Sequence, residues 1–349
     1  MNYRHDNFTV FMESKVREII NCVVGKTAVL SAGKTQDVYL VRSRRGKFIW
    51  KVLLSDGNSS KNIFVKAIKP ERKNLSEIKL YDKNPSCLHS FYPIVYGVIK
   101  KYGFYWVFLE GLRQLSSVNI SFEDFKKPIE FMASLHAKFY SNSSISRNKY
   151  INWVPRFKRQ WQRDINTFKL MTRLRKYAPF FKMMGVCERD GILLKSAVRN
   201  SGKTFKPLLN APHSLIHGCF EIHHLYAVLE DNELDNMRFI DWANISFAPV
   251  TLDLIYLIEK SVDWIKSDAM DISRFRQECL QHYCSIMKHY GVEIELDKFQ
   301  KLYNLSFAFK IITRFIFEEF KKMKKGKSSN YNFYRDQLFK LNESLNLTR

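Results

Sequence analysis

The feature that most constrains this chain is Leu215-Ile216-His217-Gly218-Cys219-Phe220-Glu221-Ile222-His223-His224-Leu225, followed by Phe239-Ile240-Asp241-Trp242. It reads as a short apolar strand, a tight polar turn, a second short strand and an acidic end. These two stretches hold three of the nine histidines, together with Cys219, Glu221 and Asp241. Such a density of titratable groups at a turn marks a candidate site.

With 349 residues the chain is long enough for two domains. Its 46% hydrophobic and 26% charged residues describe a globular protein rather than a disordered one. The net charge of +23 favours acidic partners, although a Lys-rich surface of biased composition accounts for it equally well. The six cysteines have no CxxC spacing, so they read as free thiols of a reducing compartment rather than as zinc ligands or a disulfide framework. The first residues lack the apolar core of a signal peptide, and no run reaches the length of a membrane span. The expected location is cytoplasmic.

In the N-terminal part, apolar spacing predicts a helix over residues 8–25, ended by Gly25. Ala28–Lys34 leads through Gly33 into Asp37–Val41, and Arg44-Arg45-Gly46 turns the chain into the return strand Phe48–Leu53. A Gly-containing loop before a hairpin, with Lys51 on the return strand, suits a phosphate site: glycine permits close backbone approach and the ammonium balances charge. Residues 55–62 read as a polar loop, and Phe64-Val65-Lys66 opens a segment whose part beyond Pro70 is helical. On that helix Glu77 is the expected partner of Lys51, with Glu71 the competing carboxylate and Lys66 the competing lysine. Tyr92–Val98 and Phe104–Glu110 complete a sheet.

Further on, Ser121 with Asp124 opens a helix over 121–140, in which Pro128 marks a kink or the true start. His136 on this helix reads as a packed or hydrogen-bonded histidine. A second helix, about 156–177, buries Phe157, Trp161 and Ile165 and exposes a basic face, the best docking surface for an acidic partner. Nothing resembles an RNA-binding signature, a zinc finger or a recognition helix, so nucleic acid is not an expected partner. Helical patterns follow over about 251–265, 271–290, 296–322 and 330–345. Lys321–Lys327 is a basic cluster at a helix end.

The order of loop, Lys51, Glu77, Leu135-His136-Ala137, His217-Gly218, Ile240-Asp241-Trp242 and Pro249-Val250-Thr251-Leu252-Asp253-Leu254 resembles the aminoglycoside phosphotransferase and choline kinase family, over roughly residues 28–260. The resemblance implies an α+β, two-lobed protein-kinase-like fold. Its smaller antiparallel-sheet lobe would span 1–112, and its larger helical lobe 113–349 would contain the catalytic segment 215–225 and the metal-site segment 239–242. It implies ATP between the lobes, with Gly33 and Lys51 at the phosphates, Glu77 holding Lys51, Asp241 on Mg2+ and Asp253 in a structural role.

The departures from the family pattern H-G-D-x-H-x-x-N bear on chemistry. Cys219 stands where the family has its catalytic aspartate, Glu221 where it has a second histidine, and His224 where it has a metal-binding asparagine. A thiol is mostly protonated at neutral pH and is a poor substitute for that base. Imidazole suits softer metals better than Mg2+, which leaves His224 a weak metal ligand.

Three functions stay open: a nucleotide-binding kinase-like protein with impaired phosphoryl transfer and an interaction role; an active ATP-dependent phosphotransferase acting on a small-molecule hydroxyl, with Glu221 or water as base; and a binding module without nucleotide. The Trp- and Arg-containing helix near Trp161 is similar to that of kinase-like spore-coat proteins, which implies assembly onto a coat. A Cys219–histidine hydrolase lacks an orienting third group. A cluster of His217, His223 and His224 is no better supported, since the family's histidine at His217 braces the loop.

Overall fold

The computed structural model describes residues 14–20, 34–44, 47–55, 60–114, 121–140, 151–173, 200, 202–228, 237–261, 271–323 and 325–345. The predicted loop glycine, Gly33, lies outside them. The chain divides into two compact units. The first combines Met1–Ile120 with Asn148–Asn152 and Glu221–Ile245; the second combines Ser121–Arg147 with Trp153–Phe220 and Ser246–Arg349. The segment Glu221–Ile245, which the sequence reading placed with the helical lobe, is therefore part of the first unit.

The first unit is built on a five-stranded antiparallel sheet with strand order β1-β2-β3-β5-β4: β1 (Lys34–Arg44), β2 (Lys47–Ser55), β3 (Ser60–Ile68), β4 (Val95–Lys101) and β5 (Phe104–Glu110). Strict alternation makes β2 two-faced. Phe48, Trp50, Val52 and Leu54 are buried, while Lys47, Ile49, Lys51 and Leu53 lie on the other face, half-buried. The buried set joins Ile63, Val65 and Ala67 of β3, Trp106 and Phe108 of β5, and Val16, Ile19 and Ile20 of the helix at 14–20 in one core. Trp50 and Trp106, both wholly buried, stack with ring centroids 5.6 Å apart. Each large aromatic side chain buried in this way stabilises the sheet by a few kcal/mol, of the order of 3.

Here the structure corrects two expectations. Residues 60–62 are not loop but the start of β3, and Phe64-Val65-Lys66 continues that strand in full register with β2 and β5. The helix α1 (Leu75–Lys83) lies beyond Pro70 as expected, after a short 3-10 turn, and it ends at Asn84 in the left-handed region (φ 42°), a conformation that asparagine tolerates. The strand expected from Tyr92 begins at Val95.

A second, three-stranded sheet in the same unit pairs Leu112–Gln114 with Leu225–Val228, and the latter with Met237–Phe239. It delivers the chain to Asp241, whose φ of 65° is left-handed. A non-glycine residue in that region is uncommon and belongs at turns that aim a side chain.

The second unit is mainly helical. Helix α2 (Phe122–Phe139) is capped by Ser121, whose hydroxyl accepts from Asp124 N at 3.1 Å, and Pro128 sits inside it. The described helices after it are α3 (Phe157–Arg173), a short turn at Pro207–Asn210, α4 (Thr251–Ser261), α5 (Ile272–His289), α6 (Leu296–Lys310), α7 (Ile316–Met323) and α8 (Tyr331–Leu345). A two-stranded ladder pairs His213–Ile216 with Ser246–Pro249. The single helix expected over 296–322 is interrupted by a π-helical turn at Ile311–Phe315. Among the described residues no helix is long and apolar enough to cross a membrane.

Candidate nucleotide and phosphotransfer site

The polar face of β2 and β3 carries the first group of candidate side chains. Lys66 is opposite Ile49 on β2 and Val107 on β5, in the middle of the sheet. Its ammonium donates to Glu77 Oε1 on α1. Glu77 is wholly inaccessible and the Lys66 side chain nearly so, at 6% exposure. The second oxygen of the same carboxylate, Oε2, accepts from Lys47 at 2.8 Å, and Lys47 also donates to Asp241 Oδ1 at 2.8 Å. The Tyr81 hydroxyl adds a longer bond to Glu77 Oε1 at 3.4 Å. Two lysines and two carboxylates thus alternate in one continuous chain, Lys66–Glu77–Lys47–Asp241.

The predicted Lys51–Glu77 pair is not formed; Lys66 and Lys47 take both oxygens of Glu77. Lys51 lies opposite Tyr39 and Phe64, half-buried on the same face of the sheet. Lys51 is the expected lysine because it follows the loop directly on the paired strand; β3, between β2 and β5, places Lys66 against Glu77 instead. Ile63, Val65 and Ala67 alternating about Lys66 were the available signal. Lys47, between the Arg44-Arg45-Gly46 turn and the return strand, carries no sequence signal of its own.

Charge follows from this geometry. Burial by itself would raise the Asp241 carboxyl, but the charges of Lys66 and Lys47, the Lys47 hydrogen bond and His224 hold it well below the ordinary range. For Lys47, burial opposes the charge, yet Glu77 and Asp241 outweigh it and hold the ammonium above the usual lysine value. Both groups therefore stay ionised at any ordinary pH.

His224 closes the 3-10 turn Ile222–His224 and is buried, with its carbonyl accepting from Ile240 N at 3.0 Å. That bond ties the histidine's backbone to the residue before Asp241. Glu221, the predicted substitute base, sits 3.3 Å from His223 Nε2. Among the described residues, no three His, Cys, Asp or Glu side chains converge as a metal-holding group. Mg2+ asks for an octahedral set of hard oxygens, whereas one carboxylate already engaged by an ammonium and one imidazole offer a poor set. The residues present do not fit that ion. A concavity of about 420 Å³ in this unit, walled by Asn84, His89, Tyr92, Ile94 and Arg238, has none of the lysines nor Asp241 in its lining.

The second unit holds the other group. The wholly buried Asp253 accepts from His217 N (Oδ2, 2.7 Å) and Gly218 N (Oδ1, 2.7 Å). It also lies 3.3 Å from His136 Nε2, while His136 Nδ1 meets the Tyr283 hydroxyl at 3.0 Å. His136 is thus the buried, hydrogen-bonded histidine that its place in the helix predicted. Gly218 has φ 82°, a conformation that disfavours any side chain. Cys219 follows, buried, with Sγ 3.8 Å from Arg314 Nη2 of the π-helical turn. Arg314 also bonds Glu318 at 2.7 Å. One helical residue before that turn, Lys310 is buried against the Tyr256 ring, and burial lowers its ammonium to about 8.

Comparison with solved structures places this architecture. Choline kinase LicA from Streptococcus pneumoniae superposes with a TM-score of 0.56 at 14% identity, covering 96% of this chain and 99% of that one. APH(2")-IIia, solved with GDP and kanamycin, gives 0.54 at 14% identity over 90% and 93%. Spectinomycin phosphotransferase, solved with ADP and spectinomycin, gives 0.50 at 14% identity over 90% and 97%. The fold is protein-kinase-like. It joins an N-terminal antiparallel-sheet region to a larger helical region, as the sequence resemblance implied. No protein-family model matches the chain. No curated protein matches it either.

Proposed function

We propose that this protein is a kinase-like nucleotide-binding protein in which phosphoryl transfer is impaired. The observation that carries the reading is the buried Lys66–Glu77 pair at the centre of the sheet, the arrangement that orders a phosphate-binding lysine in kinase-like folds. Its likeness to structures solved with ADP and GDP supports a nucleotide as ligand. The impairment rests on Cys219, which stands where the family pattern has its catalytic aspartate and brings a sulfur rather than a carboxylate to that position. The net charge of +23 supports an interaction role towards an acidic protein layer, of which a spore coat is one case.

Calorimetric titration of the full chain with ATP, ADP and GDP tests the reading. Saturable binding that Lys66→Met abolishes is expected. Absence of binding by all three at millimolar concentration would remove it, leaving an interaction module on a kinase-like scaffold.

A further inference from the structure

We propose that Lys47 serves as a built-in cation at the position where the kinase-like resemblance puts a metal on Asp241, so that nucleotide is bound without a divalent ion. The inference rests on the nucleotide reading above and specifies its electrostatics.

Three observations lead to it. The Lys47 ammonium bridges Glu77 Oε2 and Asp241 Oδ1, both at 2.8 Å, and so joins the helix-borne carboxylate to the carboxylate that follows the strand Met237–Phe239. A lysine ammonium has three donors in a compact head; those two bonds use two, and the third remains for a phosphate oxygen. The Lys47 side chain is 21% exposed against 6% for Lys66, so Lys47 adds a second, more open ammonium beside the enclosed Lys66. The rest of the local donor set argues the same way. Where the family pattern has an oxygen-bearing asparagine, this chain has His224, and a divalent ion at Asp241 would sit beside the Lys47 ammonium that already holds Oδ1 and repels it. The imidazole in place of the asparagine and the ammonium on Asp241 have one consequence.

The ammonium carries one charge where a divalent ion carries two, so the arrangement suits holding phosphates more than stabilising a transferring phosphoryl group. That agrees with the loss of the base at Cys219.

The test is calorimetric titration of the full chain with ADP and, separately, GDP, in MgCl2 and in EDTA. The proposal expects the same affinity in both. Lys47→Met should weaken binding in EDTA by about tenfold or more, the value of one charge-assisted hydrogen bond, while Lys47→Arg keeps most of it. In Lys47→Met, Mg2+ should restore affinity because Asp241 is then open to it. Wild-type binding that collapses in EDTA overturns the proposal and leaves the nucleotide reading standing. Tighter binding by Lys47→Met in EDTA also overturns it, since the ammonium would then be a plug. No binding of either nucleotide in either medium removes the nucleotide reading and this inference together. The wild-type comparison needs no variant, so a poorly folding Lys47→Met does not leave the question open.

Discussion

Lys66 and Glu77, eleven residues apart, meet as a buried ion pair between the third strand and the following helix. The carboxylate is wholly enclosed and accepts a second ammonium on its other oxygen, so neither its charge nor its lone pairs are left uncompensated. Removing one partner of such a pair strands a charge in a medium that solvates it poorly.

Lys66→Met is therefore expected to destabilise the chain by about 3 kcal/mol, with Lys47 limiting the damage at Glu77. The double variant Lys66→Met/Glu77→Gln should recover part of that loss. Lys51→Met, on the same sheet face but outside the network, should change stability by about 0.5 kcal/mol or less. Urea denaturation of the four proteins checks all three statements; equal losses for Lys51→Met and Lys66→Met would contradict the pairing.

Much of this was legible in the sequence, and the gaps have physical causes. Hydrophobic alternation disclosed the first hairpin and β5, and helical spacing disclosed α1, α2 and the C-terminal helices. Asp241 and Asp253 stood out because Ile240-Asp241-Trp242 and Pro249–Leu254 match segments of the family that the chain resembles. The third strand was hidden because Ser60, Lys61 and Asn62 carry loop-like chemistry, while the lysine at its centre breaks the apolar run. Which lysine reaches Glu77 is then a matter of register, and register depends on recognising β3. The Lys47–Asp241 contact spans 194 residues of sequence and has no local signature. Nor does the π-helical turn that carries Arg314 to Cys219, since its residues keep a helical apolar pattern.

The loop holding His217 and Gly218 depends on Asp253, which donates nothing and accepts from two backbone amides and faces His136. Asparagine can keep one of those amide bonds through its carbonyl oxygen but presents N–H to the other. Asp253→Asn is expected to cost about 3 kcal/mol, from losing one charge-assisted bond and leaving a buried amide unpaired. Asp253→Glu should be no better, because the added methylene has no room in a wholly buried site. Chemical denaturation midpoints decide it.

Cys219→Asp restores the residue type that the resemblance puts at the base position. It is expected to raise nucleotide hydrolysis over the wild-type background by about a hundredfold, the lower range for a positioned general base. Arg314, whose Nη2 lies 3.8 Å from the thiol, would pair with the new carboxylate and lower its basicity. Adding Arg314→Met should then increase the rate further. Phosphate release, followed in Cys219→Asp and in the double variant, measures both effects; an unchanged rate in both would show that the base is not what limits transfer.

Lys310 makes a pH prediction whose sign is fixed. It is wholly enclosed near Asp164, Arg314, Cys219 and Asp253, and rests against Tyr256 and Phe309. Burial, the largest influence, lowers its ammonium from 10.5 to about 8 in the folded chain. Between those two values the unfolded chain binds the extra proton and the folded chain does not, so stability contributed by this group rises with pH across that window. Below about 8 the folded protein must hold a charged amine in its core, at a cost on the order of 3 kcal/mol. Lys310→Met removes the charge and keeps the volume of the chain. It is expected to be more stable than wild type at pH 7, with the advantage shrinking steadily towards pH 10. The other titratable groups are common to both proteins, so the difference between their urea midpoints, not either curve alone, isolates Lys310. A difference that stays constant from pH 7 to pH 10 would show that the amine does not change its ionisation in that interval.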